Sequence, residues 1–205
     1  MNHLAFLQSL AASGGAWVIY LLLTFSILSL GVILERVVVI LRHARYQKII
    51  LPKLDEKLLS HSPKSILEML TPDSILYPVI KDLIQHSSKG RDVLNERLET
   101  ELTIQKRRLE KNVLLLGTLG NNAPFIGLLG TVLGVIHAFQ SLAASAGQGP
   151  EVVMAGLAEA LVATAVGIMV ALPCVAAYNY IQKRIKDVLI DADHFGKQII
   201  AVMVE

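Results

Sequence analysis

Thr131, Thr164 and Glu159 are the candidates for proton transfer within the apolar stretches of this 205-residue chain. Thr131 and Thr164 each lie near the middle of a helix face made of small residues, and Glu159 is the one carboxylic acid well inside an apolar stretch. A hydroxyl group both donates and accepts hydrogen bonds, so two of them close together can form a polar path. We therefore consider proton or ion conduction first.

Small residues recur at helical spacing around each threonine. The steps are 7, 4, 3 and 4 residues along 113–138, and 4, 4, 3 and 4 along 152–177. The two faces consist of Gly120, Gly127, Thr131, Gly134 and Ala138, and of Gly156, Ala160, Thr164, Gly167 and Ala171. In lipid such faces are typical of close helix–helix packing, so packing alone is the competing interpretation. The predicted packing or kink residues are Gly127, Gly130, Gly134, Gly156, Gly167, Pro124 and Pro173.

The two threonines are predicted to lie at the same depth. Thr131 is ten residues before Ser141 and Thr164 is twelve residues after Val152. At 1.5 Å rise per residue these are depths of about 15 and 18 Å, near mid-membrane. One threonine in a span can simply bond a carbonyl one turn back. Two threonines at the same depth therefore predict a functional ring of hydroxyl groups.

Glu159 has two open interpretations. It lies roughly 10 Å from the outer end of its stretch at 1.5 Å rise per residue. An intramembrane carboxylate costs about 2.5–3.5 kcal/mol on insertion scales, so such groups face a cavity or a partner. In the first interpretation it binds protons along a proton or ion pathway. In the second it is a structural acid that snorkels toward water or forms an interhelical hydrogen bond. Glu159 and Thr164 are about 140° apart around a helix, so both cannot point straight into one narrow lumen. His137, near the outer end of its stretch, is predicted to be an interfacial polar residue and not a metal ligand.

Three elements position these residues. The sequence is 53% hydrophobic and only 18% charged, and three stretches reach the about 20 apolar residues that span a bilayer. We predict an all-α membrane protein. The predicted segments are an outer N-terminus over 1–15, membrane helices over 16–35, 112–140 and 152–181, a cytoplasmic helical domain over 36–111, an outer loop over 141–151 and a cytoplasmic C-terminal helix over 182–205.

Charge sets the orientation. The formal net charge is only +2, which excludes a strongly basic nucleic-acid binder. All 19 Lys and Arg residues lie in 36–111 or 183–205. The positive-inside rule therefore places both of these segments in the cytoplasm and the N-terminus outside.

The cytoplasmic segments are predicted to be helical. Leucines at near-helical spacing over 94–113 predict one long helix that runs unbroken into the second span. A stripe from Ile181 to Val202 predicts that the third span also extends into the cytoplasm. Shorter helices are expected between Arg42 and Gly90. There, four prolines, including Pro52, break up the sequence, and Ser62-Pro63 and Thr71-Pro72 are typical of helix starts.

Two long motifs carry a family resemblance. The sequence GNNAPFIGLLGTVLG over 120–134 is followed by GLAEALVATAVG over 156–167 and by Ala-Leu-Pro over 171–173. In composition, order and separation they resemble the MotA/TolQ/ExbB proton-channel family. Three spans are more similar to ExbB, with TolQ next, than to the four-span MotA branch. The resemblance implies that Thr131 and Thr164 line the pore, that Glu159 is the acid of the third span, and that Glu35 corresponds to an acid at the inner end of the first.

The resemblance also implies partners. A homo-oligomer, expected to be a pentamer, would surround single-span ExbD-like chains in the bacterial inner membrane and act with a TonB-like protein, so that the proton motive force energises transport across the outer membrane. Protons would be the transported ion, with no cofactor and no metal. Because no Asp lies inside any predicted span, the mid-membrane carboxylate would come from the ExbD-like chain. In this hypothesis five copies turn their small faces inward.

Alternatives remain open from the sequence. Within the family they are a TolQ-like role in cell-envelope integrity and a gliding-type motor. Outside it, a passive membrane scaffold would need the glycines and threonines only for packing. An enzyme is not expected, because the sequence has no Gly-x-Ser-x-Gly, His-Glu-x-x-His or Cys-x-x-Cys pattern.

Overall fold

The computed structural model describes residues 15–58, 63–144 and 150–204, and within them all regular structure is helical. The six helices of this part of the chain are α1 Ala16–Leu58, α2 Pro63–Met69, α3 Leu76–Gln85, α4 Arg91–Glu110, α5 Val113–Ala144 and α6 Pro150–Val204. Residues 1–14 of the predicted outer N-terminus and 145–149 of the predicted outer loop lie outside the described residues.

Three of these helices, α1, α5 and α6, are long and apolar enough to cross a membrane. Their 43, 32 and 55 residues all exceed the about 20 that the hydrocarbon core requires. The predicted class, an all-α membrane protein with three spans, is therefore confirmed. The segment boundaries and the sidedness remain predictions.

The chain divides into two compact units. The first unit combines the chain up to Leu34 with Asn112–Tyr178, and so holds the amino-terminal part of α1, most of α5 and the first half of α6. Its core is built of side chains from all three helices, among them Val18 and Leu22 of α1, Ala123 and Leu133 of α5, and Val170 and Cys174 of α6. Large apolar side chains such as Ile27, Phe125 and Met169 remain exposed, as suits a surface covered by lipid or another subunit.

The second unit comprises Glu35–Lys111 and Asn179–Glu205. The predicted stripe of α6 faces its core as far as Ile199, whereas Val202 is 40% exposed. Leu94, Leu98 and Leu109 of α4 are buried, and Gly196 of α6 lies against Leu98. Gln47 of α1 is also buried, and its amide donates a hydrogen bond of 3.0 Å to the carbonyl of Val188. Helical periodicity in the sequence therefore identified what α4 and α6 contribute to this core, whereas the buried apolar side chains of α1, α2 and α3 were not predicted.

The helix predicted to run unbroken into the second span is interrupted. α4 ends at Glu110 and α5 begins at Val113, and Asn112 between them has a φ of 63°. After glycine, asparagine is one of the residues that adopt this left-handed conformation most readily. The prediction of one continuous helix is wrong at this point.

Two proline-based predictions are also wrong. Pro52 lies inside α1 and does not break the helix, although it removes one backbone donor. Thr71-Pro72 is not a helix start, because α3 begins only at Leu76. For the prediction at Ser62-Pro63, Pro63 is the first residue of α2, and Ser62 lies outside the described residues.

Candidate proton pathway

The small faces of α5 and α6 meet each other at backbone distance. A Cβ atom added to Gly127 would lie 2.7 Å from the carbonyl oxygen of Ala163, and one added to Gly167 would lie 2.7 Å from the carbonyl oxygen of Ala123. Contacts that short do not occur, and a neighbouring backbone cannot swing aside as a side-chain end can. Both positions therefore require glycine for the helices to stay this close.

The same close approach continues toward the carboxyl-terminal end of α5. A Cβ at Gly134 would lie 2.7 Å from the Cβ of Ala160, and one at Gly156 would lie 2.8 Å from the Cβ of Ala138. Gly130 is likewise buried, against Ala163 and against Val18 of α1. The two faces are thus filled by each other within one chain. This differs from the expectation that they turn inward together to line a pore.

Thr131 and Thr164 lie opposite each other in this interface. Their hydroxyl groups form a hydrogen bond, and the Thr131 hydroxyl also lies 3.2 Å from the carbonyl oxygen of Gly127. The predicted match in level between the two threonines is therefore confirmed. Both side chains are only partly buried, so the pair reaches the edge of the helix interface.

The hydroxyl pair can offer a third group either hydrogen-bond acceptors only or a hydrogen-bond donor. When Thr131 donates to Gly127, Thr164 donates to Thr131 and offers only lone pairs. When Thr131 donates to Thr164, the hydrogen of Thr164 is free to be donated. Switching between these states requires only rotation of two hydroxyl groups. The pair can thus meet a carboxylic acid or a carboxylate at the same place.

Glu159 lies apart from the threonine pair. It is exposed and lines a pocket of about 160 Å³ together with His137 and with small residues that include Gly15 just before α1, Gly134 of α5 and Ala163 of α6. Glu159 is five residues before Thr164, about 7.5 Å along the helix. Among the described residues no hydrogen bond joins the two. The pocket reaches Ala163, the residue next to Thr164.

The sequence did not predict that His137 lines this pocket. It is exposed on α5, six residues beyond Thr131 and on the same pocket wall as Gly134. Imidazole is the side chain whose ordinary pKa lies nearest neutrality. The signal available in the sequence was that His137 and Glu159, four and eight residues from the predicted outer loop, lie toward the same end of their spans.

The remaining predicted site residues lie elsewhere. Glu35 belongs to the second unit and forms an ion pair with Arg36, whose side chain is 9% exposed. Pro124 and Pro173 lie inside α5 and α6. No cluster of metal-ligating side chains occurs in the part of the chain that the structure describes.

Comparison with known proteins places this helix pair in a family. The model of the MotA/TolQ/ExbB proton channel family matches residues 71–193, which include both threonines and Glu159. The chain belongs to this family. It is a proton-channel family and not a known enzyme family.

Individual relatives of this chain are named ExbB or TolQ. The chain is similar to the biopolymer transport protein ExbB of Aquifex aeolicus, with 35% identity over 96 residues that cover 47% of this chain and 64% of the relative. It is 44% identical over 81 residues to ExbB of Helicobacter pylori strain J99, covering 40% and 55% of the two chains. It is 38% identical over 95 residues to the Tol-Pal system protein TolQ of Haemophilus influenzae, covering 46% and 42%. The chain thus spans about two fifths to two thirds of the length of these relatives.

Proposed function

We propose that this protein is the proton-channel subunit of a bacterial inner-membrane complex that uses the proton motive force to energise TonB-dependent transport across the outer membrane. The observation that carries the proposal is the hydroxyl pair of Thr131 and Thr164 at one level of a glycine-packed helix interface. A scaffold would use the glycines and the bond between the two hydroxyls for packing alone, whereas a partly buried hydroxyl pair at the edge of the interface can also reach a group of a partner chain.

The pair needs a carboxylate that this chain does not supply at that level. Glu159 is the one ionisable acid well inside a predicted span, and it lies about 7.5 Å from Thr164 along the helix. An ExbD-like single-span partner with a membrane Asp would provide the missing group. In a pentamer of this chain around such spans, the partner Asp takes a proton from the outer side, loses its charge and becomes able to move through the apolar interior.

The threonines then favour one protonation state at a time. A neutral carboxylic acid can donate to Thr164 when the pair offers lone pairs, and a carboxylate can accept from Thr164 when the pair offers its hydrogen. Protonation therefore changes the hydroxyl orientation that pairs with the partner Asp, while loss of its charge lets the partner chain move through the apolar interior, so that proton flow drives motion of the partner chain. The pocket of Glu159 and His137 lies toward the predicted outer end of the spans, where protons would enter.

Iron-chelate uptake in an ExbB-deficient bacterium tests this function. We expect Thr164→Val to abolish energised uptake, because valine keeps the shape of threonine and removes the hydroxyl. Thr164→Ser should retain most of it. The matched control is Thr118→Val, since Thr118 lies on α5 and its hydroxyl, among the described residues, bonds only the Leu114 carbonyl, at 3.0 Å. Normal uptake by an assembled Thr164→Val complex would refute the proposal.

A second candidate within the family is a TolQ-like role in cell-envelope integrity, favoured by the 38% identity to TolQ of Haemophilus influenzae. Expression in bacteria that lack either ExbB or TolQ separates the two. Restored iron-chelate uptake supports the first role, whereas restored detergent resistance alone supports the second.

A further inference from the structure

The second unit contains a cleft with the chemistry of an anion site. It has a volume of about 360 Å³ and lies between α1, the connection from α2 to α3, and α4. Arg42, His43 and Tyr46 line the cleft from α1, and Arg108 lines it from α4. Thr71 and Ser74 of the connection complete the polar lining.

The cleft carries uncompensated positive charge. Arg42 and Arg108 are both exposed, and neither forms an ion pair with any described residue. Asp73 is the acidic group of the lining, so two guanidinium groups face one carboxylate. Burial of His43, followed by the charges of Arg108 and Arg42, lowers its pKa, and Asp73 only partly opposes this. An additional cation is therefore disfavoured here and an anion is favoured.

Neutral donors lie beside the charged ones. The hydroxyl of Tyr46 accepts the backbone N–H of Thr71 at 2.9 Å, and the hydroxyl of Ser74 accepts that of Tyr77 at 3.1 Å. Each hydroxyl thus keeps its own hydrogen for another acceptor. Ser74 is only 3% exposed, so its position is fixed by packing. Two guanidinium forks and two hydroxyl donors that line one cleft suit a tetrahedral oxyanion.

We propose that this cleft binds a phosphate group. An anionic phospholipid is the expected carrier, because the predicted first span ends at Glu35 and the lining residue Val39 follows four residues later. That is about 6 Å along a helix, within the head-group layer of a bilayer. Cytoplasmic leaflets are rich in anionic lipids, which basic sites near the membrane attract. The site is separate from the proton pathway, and its test does not depend on channel activity.

Binding to the full-length, delipidated protein in a neutral detergent tests the proposal. Phosphatidylglycerol, phosphatidylcholine and inorganic phosphate are each titrated against the unfolding temperature. We expect phosphatidylglycerol to raise this temperature in a saturable way and phosphatidylcholine to do so much less. Arg42→Gln and Arg108→Gln should each weaken the apparent affinity about tenfold, as befits loss of one charge-assisted contact.

Arg107→Gln is the matched control, because Arg107 is the exposed neighbour of Arg108 on α4 and does not line the cleft. Its affinity should stay within about twofold of the parent. Saturable binding of inorganic phosphate alone, with the same dependence on the two arginines, supports the phosphate site and assigns it to the free ion. The proposal is overturned if neither ligand binds saturably, or if Arg107→Gln weakens binding as much as Arg108→Gln does.

Discussion

Gly127→Ala tests whether the contact between α5 and α6 is as close as the structure shows. The new Cβ would lie 2.7 Å from the Ala163 carbonyl oxygen, whereas carbon–oxygen contacts of this kind are normally 3.3–3.6 Å. The helices must therefore separate locally by about 0.6 Å or more. Overpacking of a well-packed interface costs about 1–3 kcal/mol.

Gly31→Ala is the control for this substitution. Gly31 also lies in a membrane helix, but an added Cβ meets nothing within 4 Å. Both substitutions gain about 1 kcal/mol of helix propensity, so their difference isolates the cost of the contact. That difference of about 1–3 kcal/mol corresponds to a change of about five- to 150-fold in the unfolding equilibrium constant.

Denaturant titration of the detergent-solubilised protein, followed by circular dichroism, measures this difference. We expect Gly127→Ala to be clearly less stable than Gly31→Ala. Gly127→Ala should also weaken the hydrogen bond of Thr131 to Thr164, because Gly127 lies one turn before Thr131. Equal stability of the two variants would refute the close approach on which the site geometry rests.

Two further predictions concern ionisable groups. Glu159→Gln should lower proton flux several-fold with assembly unchanged, whereas Glu151→Gln, at the exposed start of α6, should not; equal flux in both variants would make Glu159 a structural acid. Burial, together with the charges of Arg108 and Arg42, holds the pKa of His43 below its ordinary value of 6.5. The unfolded chain therefore takes up this proton first as the pH falls, and the folded state loses stability below about pH 6.5. His43→Gln should remove this part of the loss between pH 7 and 5 in thermal unfolding, and an unchanged pH dependence would contradict the assignment.

Helical periodicity in the sequence predicted the features that depend on a single helix. The apolar stretches, the small faces and the buried stripe of α6 all follow from residue type and spacing. The matched level of Thr131 and Thr164 followed from counting residues to the predicted outer loop. These features are local, so their positions along the chain determine them.

Features that depend on which helices meet were not predictable in the same way. Spacing identified the small faces, but it could not show that they pack against each other and leave the two threonines only partly buried. The cleft of Arg42 and Arg108 joins residues more than 60 positions apart. Asn112 interrupts a helix through a backbone conformation that an asparagine permits but does not require.

Proton flux through the reconstituted complex tests the central claim most directly. The full-length protein and its ExbD-like partner are placed in liposomes with an internal pH dye, and an imposed potential drives protons inward. We predict that Thr164→Val lowers the flux at least tenfold, while Thr164→Ser and Thr118→Val keep most of it. A Thr164→Val complex that assembles normally and conducts like the parent would contradict the role of the threonine pair.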